Sequence, residues 1–166
     1  LEAISNSSGA ASSAASAGDE AASFSILSDA VTSGFAKLNV NLLAAHPNDK
    51  SGSTATVVLK LLRSKLVIVA NIGDSRAILC HAGGFAKQLT VDHTPSNEGE
   101  VSRILKQGGT ISPKGGIPRV NSSLAVSRSF GDSELAHLLS VVPEVAILSG
   151  EELGWRYKCG FGGIWG

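Results

Sequence analysis

The spacing of hydrophobic residues changes several times along the chain, and each change marks a predicted element. Between residues 25 and 43, apolar residues recur at every third or fourth position, which is the spacing of one face of an α-helix. The predicted apolar face consists of Leu27, Val31, Phe35, Leu38 and Leu42. We expect this helix to end near His46, because the residue before a proline disfavours helical backbone.

Apolar and β-branched runs after this helix predict strands. The runs from Thr54 to Leu62 and from Leu66 to Ala70 are separated by three polar residues, which indicates a strand pair. A third strand is predicted from Arg76 to Cys80. A short strand near Lys87 to Thr90 follows a glycine turn.

A second helix is predicted between residues 95 and 109. Acidic residues occupy its first turn and basic residues its last turn, which matches the helix dipole, and Ser96 or Asn97 can cap its start. The predicted buried stripe consists of Val101, Ile104 and Leu105. The segment from Ser112 to Pro118 is predicted to be a loop. This order of elements predicts an α+β domain with helices against antiparallel sheets.

Composition divides the chain into three parts. Residues 1–23 are rich in Ser, Ala and Gly and are predicted to be a flexible lead-in. Residues 24–148 carry the patterned domain, and residues 149–166 form a divergent tail rich in glycine and aromatic residues. The chain begins with leucine and contains no methionine, so we expect a processed chain, a fragment or an incomplete gene model.

Charge and cysteine content exclude several classes of function. The 14 basic and 14 acidic residues balance, so no general field draws the chain to nucleic acid or to an anionic membrane. No apolar run is long enough to span a bilayer. Cys80 and Cys159 form neither a CxxC pair nor a disulfide framework. We expect Cys80 to be a buried thiol. We also expect the protein to be intracellular, and the sequence does not specify the compartment.

Two early motifs bring together small and charged residues. Ser51-Gly-Ser-Thr-Ala55 can form an anion-binding turn, although a tight start of a core strand is the favoured interpretation. In Gly73-Asp-Ser-Arg76, we expect Asp74 and Arg76 to hold a turn through hydrogen bonds. A catalytic role for Asp74 is the alternative.

Two later motifs carry further candidate groups. In Asp92-His93, the carboxylate suits a divalent cation and the imidazole can bind metal or transfer a proton, although such pairs also occur by chance. Asp132 can serve a site or cap a turn. Arg119 and Arg128 can bind phosphate, and structural salt bridges are the favoured role for both.

Taken in order, these motifs resemble those of the PPM (type 2C) metal-dependent protein phosphatases. The matching segments are GSTA, GDSRA, DHTP with the following helix, and RVNSSLAVSRSFGD, after which comes Pro143-Glu-Val145. The resemblance implies an incomplete four-layer α-β-β-α sandwich. It also implies hydrolysis of phosphoserine and phosphothreonine in phosphorylated protein substrates by water held between two Mg²⁺ or Mn²⁺ ions.

The same resemblance assigns roles to single residues. Asp92 matches an aspartate that helps to hold an additional metal ion beside the binuclear pair, and it is the predicted metal ligand. Arg119, Arg128 and Asp132 match positions that support a loop, so no catalytic residue is assigned. Ser122 stands where the family motif has glycine, and we expect a strained turn there if the backbone has positive φ.

Other segments of the family have no match within the 166 residues. These segments are DGHGG before the first helix, and DGxWD and a terminal Asp-Asn pair later in the chain, which supply most of the metal-binding carboxylates. We therefore expect a phosphatase domain truncated at both ends that is inactive by itself. The alternative is a pseudophosphatase that binds protein partners and performs no chemistry.

Overall fold

The computed structural model describes residues 9–80 and 84–148, with side chains described from residue 22 onward. The two helices in these ranges are α1 (Gly9–Ala45) and α2 (Glu98–Lys106). The nine strands described are β1 (Gly52–Ser53), β2 (Ala55–Leu61), β3 (Leu66–Ile72), β4 (Ile78–Cys80), β5 (Ala86–Gln88), β6 (Ile111–Lys114), β7 (Ile117–Val120), β8 (Phe130–Gly131) and β9 (Glu144–Leu148). The predicted tail over residues 149–166 lies outside the described residues.

The central sheet contains β3 between β2 and β9, and both pairings are antiparallel. Ala55 lies opposite Ile72 in the first pairing, and Val67 lies opposite Leu148 in the second. Six consecutive residues of β3, from residue 67 to 72, are buried, which explains the continuous apolar run of this strand. The predicted strand pair is confirmed.

Helix α1 covers one face of this sheet through Phe35. The Phe35 ring lies 5.2 Å from the Phe130 ring between centroids, and both pack with Ala70 and Ile72. The opposite face of the sheet contributes to a second core. A third core lies beneath α2. The buried residues of the second core are Val67, Val69, Ala77 and Leu148. Those of the third core are Ile104, Val120, Leu138 and Leu139.

The apolar face of α1 differs from the predicted one at its C-terminal end. Leu38 is 54% exposed and Leu42 is 37% exposed, so this end of the predicted apolar face does not pack into the core. A step of four residues from Phe35 reaches Asn39 instead, and the Asn39 Oδ1 atom accepts a hydrogen bond from the Gly131 N–H group at 2.9 Å. A polar contact with β8 therefore replaces apolar packing at this position.

The start of α1 also lies earlier than the predicted start near Ser25. The helix begins at Gly9, within the segment that composition predicts to be a flexible lead-in. Alanine is frequent in this segment and has the highest helix propensity, so helical backbone forms there without an apolar stripe. The boundary between lead-in and domain at residue 23 stays a prediction.

The predicted loop between Ser112 and Pro118 is a β-hairpin. Strands β6 and β7 are joined by Gly115 and Gly116, which have φ values of 63° and 81°. Positive φ at both turn residues is the type I′ geometry that favours Gly-Gly. Pro113 and Pro118 face each other across the hairpin. Because proline is rare within strands, these two residues argue against a hairpin in the sequence.

Helix α2 follows its predicted signals at both ends. The Asn97 Oδ1 atom accepts a hydrogen bond from the Gly99 N–H group at 3.0 Å, and Gly108 has a φ of 83°. The predicted stripe is only partly correct, because Leu105 is 53% exposed while Glu100 is buried.

Cys80 is half-buried rather than buried. No helix within the described ranges combines the length and apolar character that a membrane span requires.

Candidate site around Asp92

Asp92 lies in the irregular segment between β5 and α2, and its carboxylate faces Arg76. The Arg76 Nε atom donates to both carboxylate oxygens, at 2.9 Å to Oδ1 and 3.1 Å to Oδ2, and Nη2 also donates to Oδ2. Gln88 Nε2 donates to Oδ1 at 3.3 Å. Hydrogen bonding and the charge of Asp92 raise the pKa of Arg76. The two side chains therefore form a bidentate ion pair at the surface.

This pair corrects the predicted role of Arg76. The sequence predicts that Arg76 and Asp74 hold one turn together, whereas the hydrogen-bond partner of Arg76 is 16 residues away. Asp74 is exposed and acts on Arg76 through its charge alone. The local sequence does not indicate this contact, because it forms only when the fold brings the residues before β4 next to the Asp92 segment.

Asn71 connects the Asp92 segment to the central sheet. The Asn71 Nδ2 group donates to the Gly73 and Val91 carbonyls, each at 3.1 Å. The His93 N–H group also donates to the Gly73 carbonyl, at 2.9 Å. Gly73 has a φ of 91°, and a Cβ atom there would lie 2.1 Å from Thr54 Cγ2, so this turn requires glycine.

His93 is buried beside Asp92 and does not face solvent. Only 1% of the residue is exposed, and neither ring nitrogen has a hydrogen-bond partner among the described residues. The Glu144 Oε2 atom lies 3.5 Å from Nε2, which is long for a hydrogen bond. Burial, followed by the positive charge of Arg128, lowers the pKa of His93, so the imidazole is neutral at pH 7.

Glu100 is buried on α2 and binds two half-buried arginines. The Arg128 Nε and Nη2 atoms donate to Oε1 at 3.0 and 2.6 Å, and the Arg103 Nη2 atom donates to Oε2 at 2.9 Å. Burial favours a raised pKa for Glu100, but these hydrogen bonds outweigh it and lower the pKa to about 2. Arg128 thus has the structural role that the sequence favours. Arg119 instead donates to the Ser123 carbonyl at 2.7 Å.

Asp132 brings the first and last motifs together. Its N–H group donates to the Ser51 carbonyl at 2.9 Å, and its carboxylate accepts from the Ser129 hydroxyl at 2.5 Å. Gly52 pairs with Gly131 between β1 and β8, and a Cβ atom on Gly52 would lie only 1.8 Å from Asp132 Oδ2. These contacts favour the interpretation of the first motif as a tight start of a core strand.

The turn at Ser122 has the positive φ on which the expected strain depends. Ser122 has a φ of 59° and Asn121 a φ of 47°, so both lie in the left-handed region. The Asn121 Oδ1 atom accepts from the Thr110 N–H group at 2.8 Å, which stabilises its own conformation. The Ser122 hydroxyl has only an exposed contact with Ser112 at 2.6 Å. Ser122 is therefore the strained position of this turn.

The described residues do not fit a divalent metal centre by themselves. Among the described side chains, which are those of residues 22–80 and 84–148, no three His, Cys, Asp or Glu residues are grouped so that they could hold an ion. Both oxygens of Asp92 are already bound by Arg76. Mg²⁺ is usually bound by one or two free carboxylates, with water and substrate oxygens as the other ligands, and a carboxylate that is held in an ion pair is not free. Asp92 as a metal ligand remains a prediction.

Comparison with known proteins gives a consistent result. The family model for "Protein phosphatase 2C" matches residues 5–153. "Probable protein phosphatase 2C 28" of Arabidopsis thaliana is 43% identical over 99 residues, which are 59% of this chain and 28% of that protein. "Probable protein phosphatase 2C 17" of the same plant is 40% identical over 118 residues, which are 70% and 41% of the two chains. The chain spans less than half of these relatives' length.

Solved structures with the same fold include two informative relatives. A C. elegans sex-determining protein has a TM-score of 0.69 at 30% identity, with 74% of this chain and 30% of that chain covered. A serine-threonine phosphatase 2C from Toxoplasma gondii has a TM-score of 0.65 at 25% identity, with coverage of 75% and 46%. These likenesses, together with the described helices and antiparallel sheets, confirm the predicted fold class.

Proposed function

We propose a function from one premise, which is that this chain belongs to the protein phosphatase 2C family. The whole protein hydrolyses phosphoserine and phosphothreonine in phosphorylated protein substrates. The observation that carries this proposal is the family match over residues 5–153, which includes every described motif. The motif residues support it through their mutual contacts, since these hold the Asp92 segment at the surface.

Proteins of this family generally depend on Mg²⁺ or Mn²⁺. Such ions, when bound, acidify water and neutralise charge on the phosphoryl group. Asp92 is the described residue that we propose as a ligand. Its carboxylate would have to exchange the Arg76 guanidinium for the cation, since both oxygens are engaged.

The test is phosphate release from a phosphothreonine peptide by the protein as its gene expresses it, with and without Mn²⁺. Asp92→Ala removes the proposed ligand. Asp74→Ala is the matched control, because it removes an exposed carboxylate that has no hydrogen bond to Arg76. We expect Mn²⁺-dependent turnover that Asp92→Ala reduces at least tenfold and Asp74→Ala leaves within twofold. Equal effects of both substitutions would contradict the proposed role of Asp92.

The alternative function is a protein-binding pseudophosphatase. The observation that favours it is the Arg76–Asp92 pair, which occupies the one described carboxylate that resembles a family ligand. A folded protein that releases no phosphate at any Mn²⁺ concentration would refute the phosphatase proposal and support this alternative. Circular dichroism on the same sample establishes that the protein is folded.

A further inference from the structure

Asn71 is a polar side chain within the apolar strand β3. It is 1% exposed and lies on the same face of the sheet as Val67 and Val69, which belong to the second core. Burying an amide in such a place costs free energy unless its hydrogen bonds are made. Asn71 makes them, because Oδ1 accepts from the Thr56 hydroxyl at 2.6 Å while Nδ2 donates to two backbone carbonyls.

The two carbonyls belong to the segments that carry the two partners of the surface ion pair. Val91 immediately precedes Asp92, and Gly73 begins the turn that leads to Arg76. The Gly73 carbonyl also accepts from the His93 N–H group, so the residue before Asp92 is bonded to Asn71 directly and the residue after it is connected through Gly73. The Asn71 side chain is thus the side-chain link between the sheet and the residue before Asp92, and it adds to backbone bonds such as that from Ser127 N–H to the His93 carbonyl.

The Arg76 side of the pair is fixed to the same sheet through hydroxyl groups. The Thr54 and Ser75 hydroxyls lie 2.9 Å apart, and the Thr56 hydroxyl lies 3.3 Å from the Ser75 carbonyl. Thr56 therefore contacts both Asn71 and the residue before Arg76. This cluster of Thr54, Thr56, Asn71 and Ser75, here called the hydroxyl–amide cluster, sets the separation between the two segments.

A bidentate ion pair is sensitive to that separation. A guanidinium donates to both oxygens of a carboxylate only when the two planes are aligned, and misalignment leaves an ordinary surface pair of little energetic value. With side-chain exposures of 41% and 25%, Arg76 and Asp92 have solvent as an alternative partner. Apart from the long contact of Gln88 with Asp92, their alignment therefore depends on the backbone that carries them.

We propose that Asn71 is a positioning residue that sets the pose of Asp92 relative to Arg76. It acts through the Val91 and Gly73 carbonyls and touches neither charged group. Its consequence for catalysis rests on the proposed phosphatase function, because only there does Asp92 have a chemical role. The pose of Asp92 can be measured without an activity assay, so the positioning role of Asn71 and the phosphatase function can be refuted independently.

The experiment is a double-mutant cycle of Arg76→Met and Asp92→Asn, measured by urea unfolding of the full chain in the native and Asn71→Val backgrounds. Methionine keeps most of the apolar stem of Arg76 while removing the charge. In the native background we expect the coupling to change the unfolding equilibrium constant about threefold, within the range for exposed pairs. In the Asn71→Val background we expect the coupling to vanish.

Matched controls separate positioning from a general loss of stability. Ile104→Val lowers stability from the separate core under α2 and should leave the coupling unchanged. If Asn71→Val does not fold, Thr56→Val takes its place, because it releases the Asn71 amide without removing its donors. We then expect the coupling to be weaker than in the native background. Full coupling in either cluster variant would overturn the proposal.

A second measurement reports the ion pair directly. The Arg76 Nε–H group donates to Asp92 Oδ1 at 2.9 Å, so its hydrogen exchange in ¹⁵N-arginine spectra should be slowed. We expect exchange to accelerate at least threefold in Asn71→Val or Thr56→Val and to stay unchanged in Ile104→Val. Unchanged exchange in the cluster variants would assign Asn71 a role in stability alone.

Discussion

Glu100→Gln tests how much the buried arginine cluster contributes to the stability of the fold. The pKa of Glu100 is lowered from 4.5 to about 2, despite burial, by hydrogen bonds from Arg128 and Arg103. Each unit is worth about 1.4 kcal/mol, so the difference between the two pKa values corresponds to about 3 kcal/mol of stability from the ionised carboxylate. Glutamine has the same shape but leaves two guanidinium groups without an anion.

The pH dependence of this effect has a definite sign. Because the folded-state pKa is below the unfolded one, the ionised Glu100 stabilises the native state fully above pH 4.5 and loses this contribution as the pH falls toward 2. The free energy of unfolding of the native protein should therefore exceed that of the Glu100→Gln variant by about 3 kcal/mol at pH 7. Below pH 4.5 this difference should shrink by about 1.4 kcal/mol per pH unit.

The assay is urea unfolding followed by circular dichroism at pH 7, 5, 4 and 3. Glu98→Gln is the matched control, because Glu98 lies in the same first turn of α2 but is exposed. Its removal should cost no more than about 1 kcal/mol from the helix dipole. A Glu100→Gln protein as stable as the native one at pH 7, or a difference independent of pH, would refute the reasoning.

Three further substitutions test separate parts of the fold by the same unfolding measurement. Gly52→Ala should destabilise the protein by about 1–3 kcal/mol, because its Cβ atom would displace the Asp132 carboxylate from its bond with Ser129; an effect below about 0.5 kcal/mol would contradict this contact. Ser122→Gly should stabilise it by about 0.5 kcal/mol, since relief of left-handed strain exceeds the added unfolded-chain entropy, whereas Ser123→Gly, without positive φ, should destabilise it. Phe35→Ala should cost about 3–5 kcal/mol, because it removes the ring that joins α1 to Phe130, while Leu38→Ala at an exposed position should cost far less.

Local patterns predict the elements whose causes are local. The apolar run of β3 and the capping residues of α2 each determine their element from neighbouring positions, and both predictions are confirmed. The hairpin at Gly115 and Gly116 is missed because the prolines on both sides argue against strands. The burial of Glu100 is missed for a different reason, since its arginine partner Arg128 lies 28 residues away and makes an otherwise unfavourable burial possible.

The motifs identify the family because each motif is a contact partner of another. Gly52 pairs with Gly131 and leaves room for Asp132, Arg76 binds Asp92, and the Ser127 N–H group donates to the His93 carbonyl at 2.9 Å. Such reciprocal contacts constrain residue types at positions far apart in sequence, which is why their order is specific although each motif alone is weak. Among these residues, Asp92 is the one that both carries a charge at the surface and is a predicted metal ligand. Whether a cation can replace Arg76 therefore decides if this network supports catalysis or binding, and the Mn²⁺ dependence of phosphate release in the native protein and in Asp92→Ala tests it.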